Sequence, residues 1–333
     1  MRKNFRNFSI AVSASLLLFA APAIAQAPIE WKYYTFNQVN DSITKTHRAF
    51  AEDVLKATNG RLKIVVYGAA ELPYSPPGVL RAVAADQIQM GDMAFGFSAG
   101  DVPELNVLSL PFLCSSYEQF KKAVPLLSKL AEEVLQKKFG ISALLHFSPP
   151  PQNLWLNRPM KSFDDFKGLK VRTWNPSQVA MVRQFGGSPV TLDPKDVVPA
   201  LERRTVDAAI TGSLSANDWR AYSIVKYGYL LNISMGHMAM TVNNSQLQKL
   251  PPDVRQTLLE KAAEWRPKYM EMSESGDKAA LQNMRSNGVT ITEPTAEEYR
   301  SAQAAVQPIW DAWAQANGDT GKALLQSAQA ACK

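Results

Sequence analysis

A short glycine-rich segment in the first third of the chain has the spacing of a serine nucleophile. Residues 96–100 (Gly-Phe-Ser-Ala-Gly) fit the G-x-S-x-G turn of secreted esterases, and Asp207 and His237 follow Ser98 in the chain order of such a triad. That turn needs a strong strand before the serine and a helix directly after it. Here the preceding strand pattern is weak and Pro103 follows closely, which favours a plain glycine-rich loop. A secreted serine esterase that uses Ser98 is the alternative function.

A second segment, residues 167–174, combines two cations with an aromatic ring. Lys170 and Arg172 alternate with apolar residues, so both cations share one face of a predicted strand. Arg172 lies at the carboxyl end of that strand, which borders the ligand crevice in open α/β sheets. Its guanidinium can bind a carboxylate through two parallel hydrogen bonds, and Trp174 and Asn175 could add a ring face and an amide. On spacing alone, however, a surface arginine at a strand edge is the favoured interpretation.

The first 25 residues have the pattern of an export signal. A basic start precedes an apolar run over residues 10–21, and residues 23–25 (Ala-Ile-Ala) form a small-residue cleavage signal. A short membrane anchor is the alternative, but the run is short and Pro22 interrupts it. We therefore expect cleavage near Ala25 and a mature, soluble, exported protein.

Length and composition restrict the class of protein. The 333 residues leave room for two domains of ordinary size, and 46% hydrophobic with 20% charged residues excludes disordered and fibrous chains. Beyond the start there is no apolar run long enough to span a membrane. The export signal carries three basic residues and no acidic one, so its removal lowers the net charge from +6 to +3. Because the remaining basic residues are scattered, nucleic acid is not an expected partner.

Two cysteines, Cys114 and Cys332, remain for an oxidising compartment. An even number suggests one disulfide that ties the C-terminal tail to the region around Cys114, with two free thiols as the alternative. The three histidines, His47, His146 and His237, lie far apart, and no cysteine–histidine spacing typical of a metal site occurs. Neither a metal ion nor another cofactor is expected.

Strand and helix patterns alternate along the chain, which argues for α/β sheets with parallel strands. Strands are predicted at 31–35, 62–67, 88–93, 141–147, 154–157, 169–173, 206–210, 227–233, 237–243 and 289–291. Helices are predicted at 41–58, 76–85, 117–138, 175–185, 194–203, 217–225, 252–287, 295–317 and 320–330. We expect a break at Pro125 in the helix 117–138. The segment 252–287 is either one helix of about 50 Å with a kink at Pro267 or two consecutive helices.

Several segments occur together in an order that resembles a known family. The most specific is residues 166–172 (Phe-Lys-Gly-Leu-Lys-Val-Arg), and the others lie at 58–63, 88–91, 108–113, 192–207 and 242–251. The ordered set resembles the periplasmic solute-binding proteins of TRAP (tripartite ATP-independent periplasmic) transporters, a dicarboxylate-receptor-like family. The resemblance covers about residues 30 to 300.

This resemblance implies an α/β fold with two lobes, mixed sheets flanked by helices and a long helix that spans both lobes. Lobe I is expected to hold residues 26–149 plus 238–277, and lobe II residues 150–237 plus 278–333. The implied function is that of a periplasmic receptor, not an enzyme. Its lobes close on a small organic anion, which is delivered to the TRAP membrane permease subunits. A binding protein of an ABC importer would share the lobes but have a different partner.

The resemblance also implies the residues of the binding site. The selectivity arginine of the family matches Arg172, which is expected to pair with the ligand carboxylate. Polar contacts of other members fall on Gln152, on Thr211, near Tyr74 and beside Phe95. Apolar or aromatic groups replace the sugar-acid contacts, so sialic acid is not the expected ligand. The absence of a second cation at Gln152 argues against a dicarboxylate.

The expected ligand is therefore a small monocarboxylate, with an aromatic, hydroxy or oxo acid as the candidates. Aromatic faces at the edge of the pocket would favour a flat or apolar body, at about 0.5–1.5 kcal/mol for each good contact. About half of these rings are expected to contact ligand, since most aromatic residues pack in cores. The rings are those of Tyr34, Tyr74, Phe95, Trp174 and Trp219. Residues 210–212 lack the Trp and Glu with which 2-oxoacid members hold a metal ion, so no metal is expected.

Overall fold

The structure is a computed structural model, and it describes residues 27–333. The predicted export signal and its cleavage position near Ala25 lie outside these residues. Within them, no helix combines the length and apolar character needed to cross a bilayer.

Strands and helices alternate through the described residues, as the sequence predicts. The strands are β1 (Ile29–Tyr34), β2 (Leu62–Tyr67), β3 (Met90–Ala94), β4 (Ile141–Phe147), β5 (Gln152–Leu156), β6 (Lys170–Thr173), β7 (Ser188–Thr191), β8 (Ala208–Gly212), β9 (Tyr227–Tyr229), β10 (Met238–Asn243) and β11 (Thr290–Thr292). The α-helices are α1 (Ser42–Ala57), α2 (Val79–Ala84), α3 (Tyr117–Phe139), α4 (Pro176–Gln184), α5 (Pro194–Glu202), α6 (Ser213–Asp218), α7 (Asn244–Lys249), α8 (Pro252–Ser286), α9 (Ala296–Ala305), α10 (Gln307–Ala316) and α11 (Gly318–Ala331).

The strands form two mixed sheets, which confirms the predicted fold class. Sheet I has the order β2-β1-β3-β10-β4, with β1 parallel to β2 and β3, and β10 antiparallel to β3 and β4. Sheet II has the order β11-β9-β5-β8-β6-β7, with β6 parallel to β7 and β8, and β5 antiparallel to β8 and β9. Helices pack against each sheet, and the buried residues around the two sheets form separate hydrophobic clusters. We call the half that contains sheet I lobe I and the half that contains sheet II lobe II.

The two faces of sheet II are covered by separate cores. Along β5, Leu154 and Leu156 pack into one buried cluster, whereas Trp155 packs into the other. Successive side chains of a strand point to opposite faces, so a strand that is covered on both faces reads as a continuous apolar run. This explains why β5 was recognisable from its apolar composition, whereas β7, which has no buried residue, was not predicted.

The chain passes between the sheets three times, after β4, after β9 and along α8. Helix α8 has 35 residues and continues through Pro267, so the single long helix is confirmed over two shorter ones. Its buried Val254 and Leu258 belong to the core of lobe I, and its buried Met284 belongs to a core of lobe II. Helix α8 therefore spans both lobes, while the residue numbers given for the lobe boundaries stay a prediction.

Two predicted helices differ from the structure because of their prolines. The predicted break at Pro125 is wrong, since α3 continues through this residue. The hydrogen bond that the proline removes is offset by a buried apolar face that includes Phe120 and Leu127. The single helix predicted over 295–317 is instead α9 and α10. Helix α10 begins as a new helix with Pro308 in its first turn. Proline is tolerated there because N–H groups of the first turn have no hydrogen-bond partner within the helix.

The helix predicted over 217–225 lies earlier in the chain, as α6. It ends at Asp218, and Arg220 adopts a left-handed conformation with a φ of 55°, which an α-helix does not continue through. A short 3-10 helix, Ala221–Ser223, follows.

Cys114 and Cys332 form a disulfide with a Cα–Cα distance of 5.2 Å, which confirms the predicted pairing. The bond joins the end of α11 to the segment before α3, and both cysteines are buried in the same core of lobe II.

Candidate ligand-binding site

A small cavity lies between the lobes and is lined by residues from both. Lobe I contributes Asn37, Ala94 and Phe97, which lie at or just beyond the carboxyl ends of β1 and β3. Lobe II contributes residues on or just beyond β5, β6 and β8, described below. The cavity volume is about 50 Å³.

Arg172 of β6 is held in this lining by backbone carbonyl groups. Its Nε and Nη2 donate to the carbonyl oxygen of Leu192 at 3.1 and 2.9 Å, and its Nη1 donates to that of Ile210 at 2.8 Å. A guanidinium has five N–H bonds, so one on each terminal nitrogen is left over. Because the side chain is only 2% exposed, these two N–H groups have little access to solvent except through the cavity.

The charge of Arg172 has no salt-bridge partner within the described part of the chain, although Asp193 lies near enough to influence it. No carboxylate there lies within salt-bridge distance of its guanidinium. Burial lowers the pKa of Arg172 to about 9, against an opposing effect of Asp193, so the group stays cationic at neutral pH. An uncompensated buried cation is destabilising by several kcal/mol. The site is thus prepared for an anionic group that enters from the cavity.

Trp174 and Gln152 line the same cavity and hydrogen-bond to each other. The indole Nε1 of Trp174 donates to Oε1 of Gln152 at 3.0 Å, and Nε2 of Gln152 donates to the carbonyl oxygen of Pro150 at 3.0 Å. The ring of Trp174 also packs on Phe97 of lobe I, with a centroid distance of 5.0 Å. Trp174 therefore lines the cavity with its ring packed on lobe I, and Gln152 keeps one amide N–H without a partner among residues 27–333.

Thr211 and Trp219 complete the polar and aromatic lining from lobe II. Thr211 lies on β8, directly opposite Asn153 of β5, and its side-chain hydroxyl has no hydrogen-bond partner among residues 27–333. Trp219 follows α6 and presents its ring to the cavity, while its indole N–H donates to Asp41 of lobe I at 3.2 Å.

Asn37 lines the cavity and was not selected from the sequence. Its Nδ2 donates to Oγ1 of Thr35 at 2.8 Å and to Oδ2 of Asp92 at 3.1 Å. An ionised carboxylate can only accept hydrogen bonds, so the amide nitrogen must face Asp92. The amide oxygen Oδ1 is left without a partner in residues 27–333. The sequence feature that could have identified Asn37 as a lining residue is its position just after a parallel strand.

Asp92 is itself fixed in a fully buried polar cluster of lobe I. His47 binds its Oδ2 at 2.9 Å, and the hydroxyl of Tyr33 donates to its Oδ1 at 3.1 Å. The other ring nitrogen of His47 lies 2.6 Å from the hydroxyl of Tyr269 on α8. This network fixes the orientation of the Asn37 amide through Asp92.

Four of the eight predicted ligand-binding residues line this cavity, and four do not. Tyr34 and Tyr74 line a neighbouring cavity of about 370 Å³, and the hydroxyl of Tyr34 donates to the carbonyl oxygen of Tyr74 at 2.7 Å. Asn175 is the N-cap of α4, with its Oδ1 accepting from the backbone N–H of Gln178 at 2.9 Å.

Phe95 is buried away from the cavity. Its ring packs on His237 with a centroid distance of 4.5 Å, and it is the preceding Ala94 that lines the cavity. Neighbouring residues at the end of a strand point in opposite directions, so an alignment error of one position changes which side chain lines a pocket.

The nucleophile turn, which was the less favoured interpretation of residues 96–100, is not formed. After β3 the chain makes turns and then a 3-10 helix, Pro103–Ser109, instead of the required α-helix. Ser98 is only 2% exposed. The side chain of His237 bonds to Nδ1 of His146 at 3.0 Å, and that of Asp207 accepts from the backbone N–H of Lys170 at 2.8 Å. Residues 27–333 contain no group of three or more His, Cys, Asp or Glu side chains that could hold a metal ion.

The sequence matches the family of bacterial extracellular solute-binding proteins, family 7, over residues 35–316. The chain belongs to this family. The resemblance to the solute-binding proteins of TRAP transporters is thereby confirmed.

Relatives of this family 7 protein match it over nearly their whole length. The C4-dicarboxylate-binding periplasmic protein DctP of Rhodobacter capsulatus is 27% identical over 331 residues, which are 96% of this chain and 97% of the relative. DctP6 of Bordetella pertussis, an extracytoplasmic solute receptor binding pyroglutamic acid, has a TM-score of 0.86 at 24% identity. A TRAP periplasmic solute-binding protein of Chromohalobacter salexigens with bound D-glucuronate has a TM-score of 0.83 at 24% identity. Both similarities cover 90% of this chain and 99% of the other, and they confirm the two-lobed fold.

Proposed function

We propose that this family 7 protein is the periplasmic receptor of a TRAP transporter and binds a small organic monocarboxylate between its two lobes. The observation that carries the proposal is the buried guanidinium of Arg172, which has two N–H groups left over and no carboxylate partner in residues 27–333. A ligand carboxylate would accept both N–H groups in a bidentate pair.

The limitation to one carboxylate follows from the charges in the cavity. Arg172 is the only charged residue among those that line it in the described part of the chain. A second carboxylate would be buried without a cation, and a buried unpaired charge is strongly unfavourable. We therefore expect dicarboxylates to bind more weakly than monocarboxylates of similar size.

The remainder of the ligand is expected to be compact and to carry a hydrogen-bond donor. The free Oδ1 of Asn37 can accept from an N–H or O–H, and the hydroxyl of Thr211 can donate or accept. The rings of Trp174 and Trp219 favour a flat body. Pyroglutamic acid, which DctP6 binds, combines these features in a small volume, and short hydroxy acids share them.

Binding and delivery follow from the position of the cavity between the lobes. A ligand that touches Asn37 and Arg172 at once contacts both lobes, so it binds the closed form more tightly and shifts the protein toward it. The closed, loaded protein is then the form that the TRAP membrane permease receives. The export pattern of residues 1–25 supports a periplasmic location.

A thermal-shift screen tests the ligand class, because a molecule that binds the native protein raises its melting temperature. The panel contains L-pyroglutamate, lactate, pyruvate, benzoate, D-glucuronate, D-galacturonate and succinate. We expect a monocarboxylate to give the largest shift. A largest shift with succinate would contradict the restriction to one carboxylate.

Calorimetry with the best acid then tests Arg172. Arg172→Ala is expected to weaken binding by at least about 100-fold, and Arg172→Lys to weaken it as well, because a lysine cannot make the bidentate pair. Lys170→Ala is the matched control, since it removes an exposed cation from the same strand. Equal affinity of the Arg172→Ala variant and the control would remove Arg172 from the site.

A further inference from the structure

Two neighbouring residues of each lobe hydrogen-bond across the cleft. Asp41 and Ser42 lie at the start of α1 in lobe I, and Asp218 and Trp219 lie at the end of α6 in lobe II. The backbone N–H of Ser42 donates to Oδ2 of Asp218 at 2.7 Å, and its hydroxyl donates to Oδ1 at 3.0 Å. In return, the indole N–H of Trp219 donates to Oδ2 of Asp41 at 3.2 Å.

The start of α1 is capped from the other lobe and not by its own N-cap residue. The first N–H groups of a helix lack partners inside it, and an Asp at the N-cap usually accepts from one of them. The side chain of Asp41 makes no such bond to α1. It accepts instead from the backbone N–H of Gln38 at 2.9 Å and from Trp219. Asp218 supplies the missing carboxylate at the positive end of the 16-residue α1.

The position of Asp218 is unfavourable for its own helix. A carboxylate at the C-terminal end of a helix opposes the helix dipole. Helix α6 is nevertheless anchored to α8 through a hydrogen bond from Ser213 to Asp277 and one from Asn283 to Asn217. These anchors hold Asp218 where it faces α1.

Trp219 connects these contacts to the ligand cavity. Its ring lines the cavity beside Arg172 and Thr211, while its indole N–H is held by Asp41. All three hydrogen bonds join atoms of different lobes, so they exist only when the lobes are closed.

We propose that Asp41, Ser42, Asp218 and Trp219 form a closure latch that sets the equilibrium between the open and closed forms and thereby the ligand affinity. Asp218 is a positioning residue, since it acts on closure and does not line the cavity. The latch adds a closing contribution that is independent of the ligand carboxylate. This inference rests on the proposed function, because the lobes must open and close for the latch to act.

The test compares Asp218→Ala with the control Asp164→Ala, which removes an exposed carboxylate of lobe II paired only with Lys167. Spin labels are attached through the additional substitutions Lys56→Cys and Arg203→Cys at exposed positions on the two lobes. Pulsed electron resonance then measures the distance distribution with and without L-pyroglutamate, and calorimetry measures the affinity for it. Thermal unfolding of each variant checks that it is folded.

Asp218→Ala is expected to shift the distances toward the open form and to weaken L-pyroglutamate binding by about 5- to 30-fold. Asp218→Asn keeps one acceptor oxygen but not the charge. Its distances and its affinity for L-pyroglutamate are expected to lie between those of the wild-type protein and those of Asp218→Ala. Trp219→Phe, which keeps a ring at the cavity without the indole N–H, is expected to shift the distances in the same direction. Distances and affinity of Asp218→Ala equal to those of Asp164→Ala would overturn the latch.

The failure of the proposed ligand can be told apart from the failure of the latch. If the wild-type protein does not bind L-pyroglutamate, that choice of ligand fails, and the distance distributions without ligand decide about the latch. A more open distribution for Asp218→Ala than for Asp164→Ala supports it, and identical distributions refute it.

Discussion

The indole ring of Trp174 lies against Gly96, across the cleft between the lobes. A Cβ atom placed on Gly96 would lie 2.4 Å from Cζ3 of the ring, far inside any van der Waals distance. The glycine of the segment that resembles an esterase motif therefore allows close approach of a lobe II side chain to the loop after β3. The absence of a side chain at position 96 is a condition for the closed form.

Gly96→Ala is therefore expected to weaken ligand binding without unfolding the protein. Overpacking of this kind is unfavourable by about 1–3 kcal/mol, which corresponds to about a 5- to 150-fold loss of affinity. Gly100→Ala is the control in the same loop, because a Cβ there would meet no atom within 4 Å. Calorimetry measures both variants, and an unchanged affinity of Gly96→Ala would contradict the close packing of the lobes on binding.

Asn37 is expected to select ligands that carry a hydrogen-bond donor. The wild-type protein should bind L-pyroglutamate at least about 10-fold more tightly than its lactone analogue, 5-oxotetrahydrofuran-2-carboxylate, in which an oxygen replaces the ring N–H. Asn37→Ala should remove most of this preference, because the amide acceptor is lost. Competition calorimetry measures the ratio, and a ratio that persists in the variant would argue against this role.

The stability contributed by Asp41 is expected to depend on pH. Burial raises the pKa of Asp41 from 3.8 to about 6, against the hydrogen bonds from Gln38 and Trp219; the nearby Asp218 adds to the rise and Lys45 opposes it. Burial also raises the pKa of Asp218, and the two hydrogen bonds from Ser42 and the charge of Lys45 oppose the rise. Because folded Asp41 binds a proton more tightly than unfolded Asp41, its unfavourable effect is full above pH 6 and fades as the pH falls toward 4.

The comparison with Asp41→Asn isolates this effect, since the asparagine cannot ionise and keeps an acceptor for the indole of Trp219. The wild-type protein should be less stable than this variant at pH 7.5, by up to roughly 3 kcal/mol, and the difference should shrink toward pH 4. Urea unfolding at a series of pH values gives the free energies. A difference that grows on acidification has the wrong sign for this account.

The disulfide is expected to stabilise the fold without affecting the site. Its cysteines are 218 positions apart, and removal of a bond that closes so long a loop typically lowers the free energy of unfolding by about 2–5 kcal/mol. Cys114→Ala with Cys332→Ala should therefore lower the melting temperature clearly. Affinity for the acid should stay the same, because both cysteines lie in a core of lobe II and not in the cavity lining.

The type and order of the elements were predictable because their signals are local. Apolar periodicities and turn residues within a few positions of each other predicted the alternation of strands and helices, whereas the mixed sheets and the single long helix were implied by the family resemblance. Arg172 became a candidate ligand contact through the family resemblance, because its position at the end of a predicted strand also fits a surface arginine. The pairing of Cys114 with Cys332 followed from an even number of cysteines in a chain whose sequence predicts export.

The lining of the cavity was predictable only in part. Arg172, Trp174, Gln152 and Thr211 come together there, whereas Phe95 does not, because strand alternation assigns the lining position to Ala94. Asn37 was missed because its role depends on Asp92, which is 55 positions away and fixes which end of the amide faces the cavity.

The sequence by itself determined most of the helices and strands, the family and one arginine that can bind a carboxylate, because these depend on neighbouring residues and on short ordered motifs; β7 and α7 were not predicted. Only the tertiary structure decided that Ser42 meets Asp218, 176 positions away, and that Trp174 packs on Gly96. Such contacts form when the two folded lobes pack against each other. No local sequence pattern indicates which surfaces of the lobes will then be in contact.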